Sequence, residues 1–272
     1  MSFLVLILGV ALALSRFSVG LPLGAALIAL GSVQVALVGH DAGHLAVFTS
    51  RRANAHLGRL CWSLVLGISF WYWNDRHTRH HARPNDVARD PDVQWDYGPA
   101  FLPLLAFTFR IEGWRFVLRH PRGPQRRAEL LLLGIGTTAW LLPAVVHGWS
   151  WLITVFAAQA LAGMYLALVV APNHIGMPMW RSNTSLTFLE QQVLSSRNVV
   201  PSPLCNFFFG GLNYQIEHHL FPMMPRNHFA AARALVRPFC AERGLPYTEL
   251  GVSAVFRLVW QQAPRLGQHE WS

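Results

Sequence analysis

Charged residues are scarce in this chain of 272 residues, because they make up only 13% of it while hydrophobic residues make up 53%. Mean hydropathy is +0.30. Soluble domains carry about 25% charged residues, so this composition excludes an ordinary soluble protein and indicates membrane spans. Lysine is absent, and all 22 basic residues are arginine. The net charge of +9 does not indicate a nucleic acid partner, because the apolar stretches leave no room for a soluble basic domain.

Cysteine is also rare, and the three cysteines are Cys61, Cys205 and Cys240. No two of them are spaced as C-x-x-C, and an odd number cannot pair completely. We expect small buried side chains in a reducing compartment. The N-terminus is apolar from its first residues and has neither a basic region nor a small-residue cleavage site, so we do not expect a cleaved signal peptide.

Four apolar stretches are about long enough to cross a bilayer, which takes roughly 20 residues of helix. They cover about residues 3–20, 21–39, 129–146 and 150–171, and short turns within each pair predict two hairpins. A further apolar stretch at about 56–73 ends in Trp and Tyr, and we interpret it as an interfacial helix. The pattern predicts an all-α integral membrane protein that forms a single domain over its full length.

The distribution of arginine predicts the orientation of these spans. The two hairpin turns together carry only Arg16, whereas the other arginines lie in about 40–128 and about 172–272. We therefore expect these two regions to form a cytoplasmic helical cap at a bacterial plasma membrane.

Histidines occur in three tight clusters, all of them in the expected cap. His40 and His44 lie in HDAGH, and three more histidines lie in HTRHH. His218 and His219 end QIEHH, in which Gln215 holds the position three residues before the pair. Spacings of i, i+3 and i+4 place side chains on one face of a helix. The members of the second cluster are His77, His80 and His81.

Imidazole is a common ligand of Fe, Zn, Cu and Ni. Each cluster alone also fits a solvated or core helix face, but three at the same membrane depth favour a metal site. One zinc ion needs three or four ligands, and with His174 as an eighth histidine the set fits two metal ions better. Nearby carboxylates would orient the imidazoles, and the candidates are Asp41, Asp75, Asp90 and Glu217.

The three clusters resemble the boxes H-x-x-x-H, H-x-x-H-H and Q-x-x-H-H of the membrane fatty acid desaturases. Gln at the start of the third box resembles the front-end type of that family. The resemblance extends to ARDPDV, APNHIGMP, LEQQVLSSRNV and GGLNYQIEHHLFPMMP and covers about residues 36–248. The chain is similar to a bacterial, stand-alone member of the family.

This resemblance implies a di-iron enzyme that uses dioxygen and two electrons to introduce a cis double bond into an acyl chain. It implies four spans below a cytoplasmic cap that holds the di-metal site, and an apolar tunnel for the substrate. Gln215 would be a ligand or near-ligand. The implied iron ligands are His40, His44, His77, His80, His81, His174, His218 and His219.

The substrate carrier, the electron donor and the reaction outcome stay open at the level of sequence. The acyl chain could be carried as a lipid, an acyl-CoA or an acyl carrier protein thioester. The 272 residues contain no H-P-G-G haem motif, so we expect an external donor of the ferredoxin or cytochrome b5 type. A hydroxylase or ketolase of lipids, carotenoids or alkanes would use the same ligands. A metal transporter or other metal-binding membrane protein is the alternative from a different class.

Overall fold

Helices account for most of the secondary structure, which confirms the expected helical class. A computed structural model describes residues 1–15, 20–93, 99–181 and 184–262, and Arg16, which interrupts the first expected span, lies outside them. The helices are α1 (Ser2–Ala13), α2 (Gly20–Gly43), α3 (Arg51–Arg59), α4 (Phe70–Ala82), α5 (Leu105–Arg119), α6 (Pro124–Leu141), α7 (Ala144–His174), α8 (Phe188–Ser195), α9 (Pro203–Phe209), α10 (Gln215–Leu220), α11 (Phe229–Glu242) and α12 (Val252–Gln262). Among them lie a π-helical turn (Leu60–Val65), 3-10 turns (Pro99–Leu104 and Arg226–His228), and strands β1 (Asn198–Val199) and β2 (Glu249–Leu250).

The chain forms two compact units, each built from two separate stretches. The first unit comprises Met1–Asp75 and Phe101–Ala167, and the second comprises Arg76–Ala100 and Leu168–Ser272. Helices α4 and α7 each begin in the first unit and end in the second.

In the first unit, α1 packs closely on α2 through glycines. A Cβ atom at Gly31 would lie 2.6 Å from the backbone nitrogen of Leu6, and one at Gly9 would lie 2.6 Å from that of Ile28. Only a residue without a side chain allows this approach, which buries Leu6 and Ile28 between the helices. The same core contains Trp62 of the π-helical turn.

A buried carboxylate on α6 fixes the irregular chain that follows the π-helical turn. Oε2 of Glu129 accepts hydrogen bonds from Ser63 Oγ at 2.9 Å and from Ser69 Oγ at 2.8 Å. Between these serines, Gly67 has a φ of +66°, a conformation that side chains disfavour. The stretch at 56–73 is therefore not one helix as expected, because the backbone leaves helical geometry before α4 begins.

Within the described residues, α2 and α7 are the two helices long and apolar enough to cross a bilayer. They contain the expected spans 21–39 and 150–171. Gly148 has a φ of 58° and a ψ of −140°, so the backbone of α7 departs from helical geometry at the expected hairpin turn. The segment before Gly148 carries large exposed apolar side chains, including Val145 and Val146.

The other two expected spans lie on helices that do not meet the same requirement. Residues 3–20 overlap α1, which has 12 residues. Residues 129–146 overlap α6, whose 18 residues include Arg126, Arg127 and Glu129. A crossing by these two segments remains a prediction.

In the second unit, short elements pack around the buried helix α10. Strands β1 and β2 pair in parallel, with Asn198 opposite Glu249. Ile216 of α10 forms a small core with Val193 of α8 and with Val236 and Cys240 of α11. This packing buries the whole of the QIEHH segment except for a few per cent of its surface, so the third histidine cluster lies inside the protein.

Candidate metal centre

The second histidine cluster occupies the last turns of α4, as its spacing predicts. His77 and His81 are four residues apart, and their Nε2 atoms lie 3.1 Å from each other. Two nitrogens in neighbouring positions around a metal ion, each about 2.1 Å from it, would lie about 3 Å apart. The pair is therefore compatible with ligation of one ion by both rings.

A tight loop after α4 carries the carboxylate that orients His80. Asp90 is buried, and its Oδ2 lies 3.0 Å from Nδ1 of His80. The backbone N–H groups of Asn85 and Asp92 each donate a hydrogen bond of 2.8 Å to the Asp90 carboxylate. Burial lowers the pKa of His80, but the charge and hydrogen bond of Asp90 raise this pKa more, so the net shift is upward. Nδ1 of His80 therefore donates to Asp90, and Nε2 is the ring nitrogen that can bind a metal ion.

His174 is the last residue of α7, and its tautomer is set by a backbone carbonyl. Its Nδ1 lies 2.9 Å from the carbonyl oxygen of Ser195. A carbonyl only accepts hydrogen bonds, so Nδ1 carries the proton and Nε2 keeps its lone pair. Gln215 approaches that lone pair, with its Nε2 atom 2.9 Å from Nε2 of His174.

The third cluster lies on α10, and a glutamine from α8 orients one of its rings. Nδ1 of His219 lies 2.9 Å from Oε1 of Gln192. The amide nitrogen of Gln192 donates to the carbonyl oxygen of His81 over 3.2 Å, so the amide oxygen faces the ring. His219 thus also donates through Nδ1. Gln192, His218 and His219 are all buried.

His80, His174 and His219 converge on one point in the second unit. One ring nitrogen from each lies within 4.8 Å of the others. Ring centroids are 4.8 Å apart for His80 and His174, 5.1 Å for His80 and His219, and 4.9 Å for His174 and His219. Three imidazoles, each donating through Nδ1 to an acceptor, form the donor arrangement typical of metal ligands, so these residues fit a metal ion.

His218 lies on the other side of the same cluster. Its ring centroid is 4.7 Å from that of His81 and 6.3 Å from that of His77. The ring of His81 also stacks on that of His219 at 4.3 Å. The second and third boxes thus bring five imidazoles together in this unit.

The first histidine cluster lies at the end of α2 in the first unit. The ring centroids of His40 and His44 are 4.7 Å apart, as the i, i+4 spacing predicts. Nδ1 of His40 lies 3.3 Å from Oδ1 of Asp41. The ring of His40 also contacts the ring of Trp73 edge-on, with 5.6 Å between the centroids. Asp41 and Trp73 together orient this imidazole.

Glu217 belongs to a separate polar cluster, next to the histidines in sequence. Its Oε1 accepts a hydrogen bond from Tyr247 Oη at 2.7 Å, and its Oε2 accepts one from Asn198 Nδ2 at 2.8 Å. Asn198 Oδ1 also accepts from the backbone N–H of Ile216 at 2.9 Å. Burial raises the pKa of Glu217 above its ordinary value despite these hydrogen bonds. The cluster holds the first turn of α10, and Asp75, the remaining predicted carboxylate, lies on α4.

The segment LEQQVLSSRNV supplies several contacts that the sequence did not assign to particular residues. Besides Gln192 and Ser195, it contains Arg197, which is 1% exposed. The guanidinium of Arg197 donates to the carbonyl oxygens of Pro172 and Ile175, on either side of His174. Closely spaced polar residues in an otherwise apolar chain are the signal in the sequence that could have identified these contacts.

The class defined by these features is a helical protein with apolar helices of membrane-spanning length and a histidine-rich metal-binding centre. A sequence model of this class, described as "Fatty acid desaturase", matches residues 17–251. The chain therefore belongs to the fatty acid desaturase family, which confirms the resemblance of its three boxes.

Curated relatives carry the same family name. The chain is 29% identical to an acyl-lipid (9-3)-desaturase of Physcomitrium patens, over 84% of this chain and 50% of the relative. It is 28% identical to the Delta(6)-fatty-acid desaturase fat-3 of Caenorhabditis elegans, over 90% of this chain and 64% of the relative. A Delta(8)-fatty-acid desaturase of Euglena gracilis is 27% identical, over 83% of this chain and 62% of the relative. The chain thus spans about half to two thirds of the length of these relatives.

Proposed function

We propose that this protein is an oxygen-dependent di-iron desaturase that introduces a cis double bond into a fatty acyl chain. The observation that carries the proposal is the convergence of His80, His174 and His219, each of which donates through Nδ1 to a fixed acceptor. Membership of the desaturase family supports the same conclusion.

The proposed ligand set for the two irons combines the converging histidines with those of the family boxes. His80, His174 and His219 would share one ion. His40 and His44 enter the set because of their box spacing and their paired rings. Together the proposed ligands are His40, His44, His77, His80, His81, His174, His218 and His219, with Gln215 as a near-ligand.

When bound, the iron pair with dioxygen supplies the oxidant for an unactivated methylene, which protein side chains cannot provide. The chain's own residues have a positioning role. Asp90, Ser195 and Gln192 keep the proton on Nδ1 of their histidines, so that the opposite nitrogens face inward. The buried rings of His80 and His219 limit the access of water to the centre. Asp41 would act on His40 in the same way, through the contact at 3.3 Å.

The membrane setting is part of the proposal. Helices α2 and α7 are long and apolar enough to be two of the crossings, and we propose α1 and α6 as the remaining two of four spans in two hairpins. Regions 40–128 and 172–272 would form the cytoplasmic cap, with 56–73 at the interface, because they carry nearly all of the arginine. The proposed location is a bacterial plasma membrane.

The substrate would be an acyl chain on a lipid, on coenzyme A or on acyl carrier protein. Its two electrons would come from a separate ferredoxin or cytochrome b5. The names of the relatives support a fatty acyl substrate, and the positive net charge of the chain would attract an acidic donor protein.

Expression in a desaturase-deficient host tests the proposal. New cis double bonds, located by mass spectrometry of the host lipids, are expected for the wild-type chain together with a functional donor. His80→Ala and His219→Ala should abolish the product while the protein still inserts into the membrane. His228→Ala is the matched control, because His228 is exposed.

Each alternative function predicts a different result in the same host. Hydroxylated lipids without new double bonds would establish a hydroxylase instead. Bound zinc together with metal flux into vesicles would establish a transporter. Near wild-type turnover of His80→Ala would show that the ligand assignment is wrong.

A further inference from the structure

Three arginines at the start of α6 surround a cavity that the proposed catalytic function does not use. The cavity has a volume of about 480 Å³ and is lined by Arg122, Gly123, Arg126, Arg127 and Leu130. Among the residues that the structure describes, no acidic side chain contributes to its lining. Like charges on three arginines that line one cavity repel each other, and an anion bound close to them would reduce this repulsion.

These guanidinium groups differ from those arginines of the chain that have carboxylate partners. Arg76 pairs with Asp92 at 2.8 Å, and Arg233 pairs with Glu249 at 2.6 Å. Within the described residues, none of the three cavity arginines forms an ion pair with a carboxylate. The nearest acidic residue along α6 is Glu129, which is buried and accepts hydrogen bonds from two serines instead.

The start of α6 adds to the attraction for an anion. Gly123 precedes the helix and provides no side-chain cap, and the first turn contains no acidic residue. Backbone N–H groups at a helix N-terminus favour negative charge. The general excess of arginine outside the apolar segments accounts for the charge of this region, but it does not account for a shared cavity without carboxylates.

An apolar stripe continues along α6 from the cavity. Leu131 and Ile135 follow Arg127 at intervals of four residues, which places all three on one helix face. Leu131 is 64% exposed and Ile135 is 49% exposed. The distance from Arg127 to Ile135 along the helix is about 12 Å, about the length of a ten-carbon acyl segment. A ligand with an anionic head and an apolar chain therefore matches this face better than a free anion.

We propose that Arg122, Arg126 and Arg127 bind the phosphate of an anionic phospholipid whose acyl chain lies along Leu131 and Ile135. Clusters of arginine beside an apolar helix recognise anionic headgroups through charge. Guanidinium groups match phosphate oxygens in geometry as well as charge. The lipid at this site is bound and is not a substrate, so the proposal rests on the proposed membrane setting of α6 and not on the proposed desaturase activity.

Native mass spectrometry of the purified protein tests this site. The probes are phosphatidylglycerol, phosphatidylcholine with the same acyl chains, and inorganic phosphate. The wild-type protein should retain phosphatidylglycerol at least tenfold more strongly than phosphatidylcholine, and should retain no phosphate. The variant Arg122→Gln/Arg126→Gln/Arg127→Gln should lose this preference.

Matched variants separate a local site from a general charge effect. Arg51→Gln/Arg52→Gln/Arg257→Gln removes the same charge from exposed positions elsewhere and should keep binding within twofold of wild type. Leu131→Gln/Ile135→Gln should weaken phosphatidylglycerol binding while the arginines remain. Equal losses in both triple variants would overturn the proposal, as would retention of phosphate as strong as that of the lipid. A melting temperature within a few degrees of wild type shows that the variants are folded.

Discussion

The side-chain amide of Gln215 donates a hydrogen bond to Nε2 of His174, with 2.9 Å between the two nitrogens. This is the lone pair that His174 would offer to a metal ion, because its Nδ1 donates to Ser195. Gln215 is held in turn by Asn173, whose Nδ2 lies 3.1 Å from Oε1 of Gln215. The amide therefore competes with a metal ion for His174.

Gln215→Ala should raise the affinity of the centre for Fe²⁺, because it removes this competing hydrogen bond. A hydrogen bond of this kind contributes about 1 kcal/mol, which corresponds to an affinity about fivefold higher. Competition with a chelator of known affinity measures the change. Gln191→Ala, which removes a buried amide from α8, is the control and should leave affinity unchanged. A tenfold loss in Gln215→Ala would instead make Gln215 a ligand through its oxygen.

Asp90→Asn should weaken metal binding, because the carboxylate holds His80 in the tautomer that leaves Nε2 to the metal. Loss of such a partner lowers metal affinity about 10- to 100-fold. Iron content after dialysis against a chelator gives the measurement. Asp92→Asn is the matched control, since Asp92 is 44% exposed and its Oδ2 lies 3.6 Å from Nδ1 of His80. Equal losses in the two variants would contradict a specific role for Asp90.

The local part of the centre could be predicted from the sequence. The i, i+3, i+4 spacing of HTRHH places His77 and His81 on one face of α4, because helix geometry depends only on neighbouring residues. The structure has their Nε2 atoms 3.1 Å apart. The contact between Asp90 and His80 was also accessible, since only ten residues separate them.

The partners of the other histidines could not be predicted in the same way. Gln192 and His219 are 27 residues apart, and glutamine has no spacing that marks it as the partner of an imidazole. The acceptor for His174 is the backbone carbonyl of Ser195, which every residue possesses. Such contacts depend on how α8 and α10 pack in three dimensions, and the packing of short helices leaves little periodic signal in the sequence.

Arg197→Lys should lower the affinity of the centre for metal, and its effect on the melting temperature should be small. The guanidinium of Arg197 contacts the carbonyl oxygens of Pro172 and Ile175 on both sides of His174, and its backbone N–H donates to Asn173 at 2.9 Å. Lysine keeps the charge but cannot contact two carbonyls with one planar group. We expect metal affinity about tenfold lower, measured by chelator competition well below the melting temperature.

Arg243→Lys provides the control for this substitution. The guanidinium of Arg243 packs over the ring of Phe239 at 4.5 Å, and Arg243 is distant in sequence from every histidine of the centre. It should leave metal affinity unchanged. A purely structural role of Arg197 would appear as a lower melting temperature with wild-type metal affinity, and would contradict its action on His174.

Cys61 should resist alkylation in the folded protein at alkaline pH. Burial raises the pKa of its thiol from 9.0 to about 12, and the thiolate is the reactive form. At pH 8.5 the thiolate fraction should be about 0.03% in the folded state, compared with about a quarter when the chain is unfolded. Mass spectrometry after iodoacetamide treatment, with and without denaturant, measures the difference. Labelling of native Cys61 within tenfold of the unfolded rate would contradict its burial.

The same shift predicts how Cys61 affects stability as pH changes. The folded state disfavours the thiolate. The contribution of the neutral Cys61 thiol to the free energy of unfolding is therefore fully present below pH 9.0, and it is lost as the pH rises towards about 12. The Cys61→Ala variant should lack this loss, although it leaves a small cavity in the core. Denaturant unfolding gives the free energy of unfolding of wild type and of Cys61→Ala. The difference between the two proteins should be about 2 kcal/mol smaller at pH 10.5 than at pH 8. A difference that stays constant across this range would show that the thiol ionises equally well in both states.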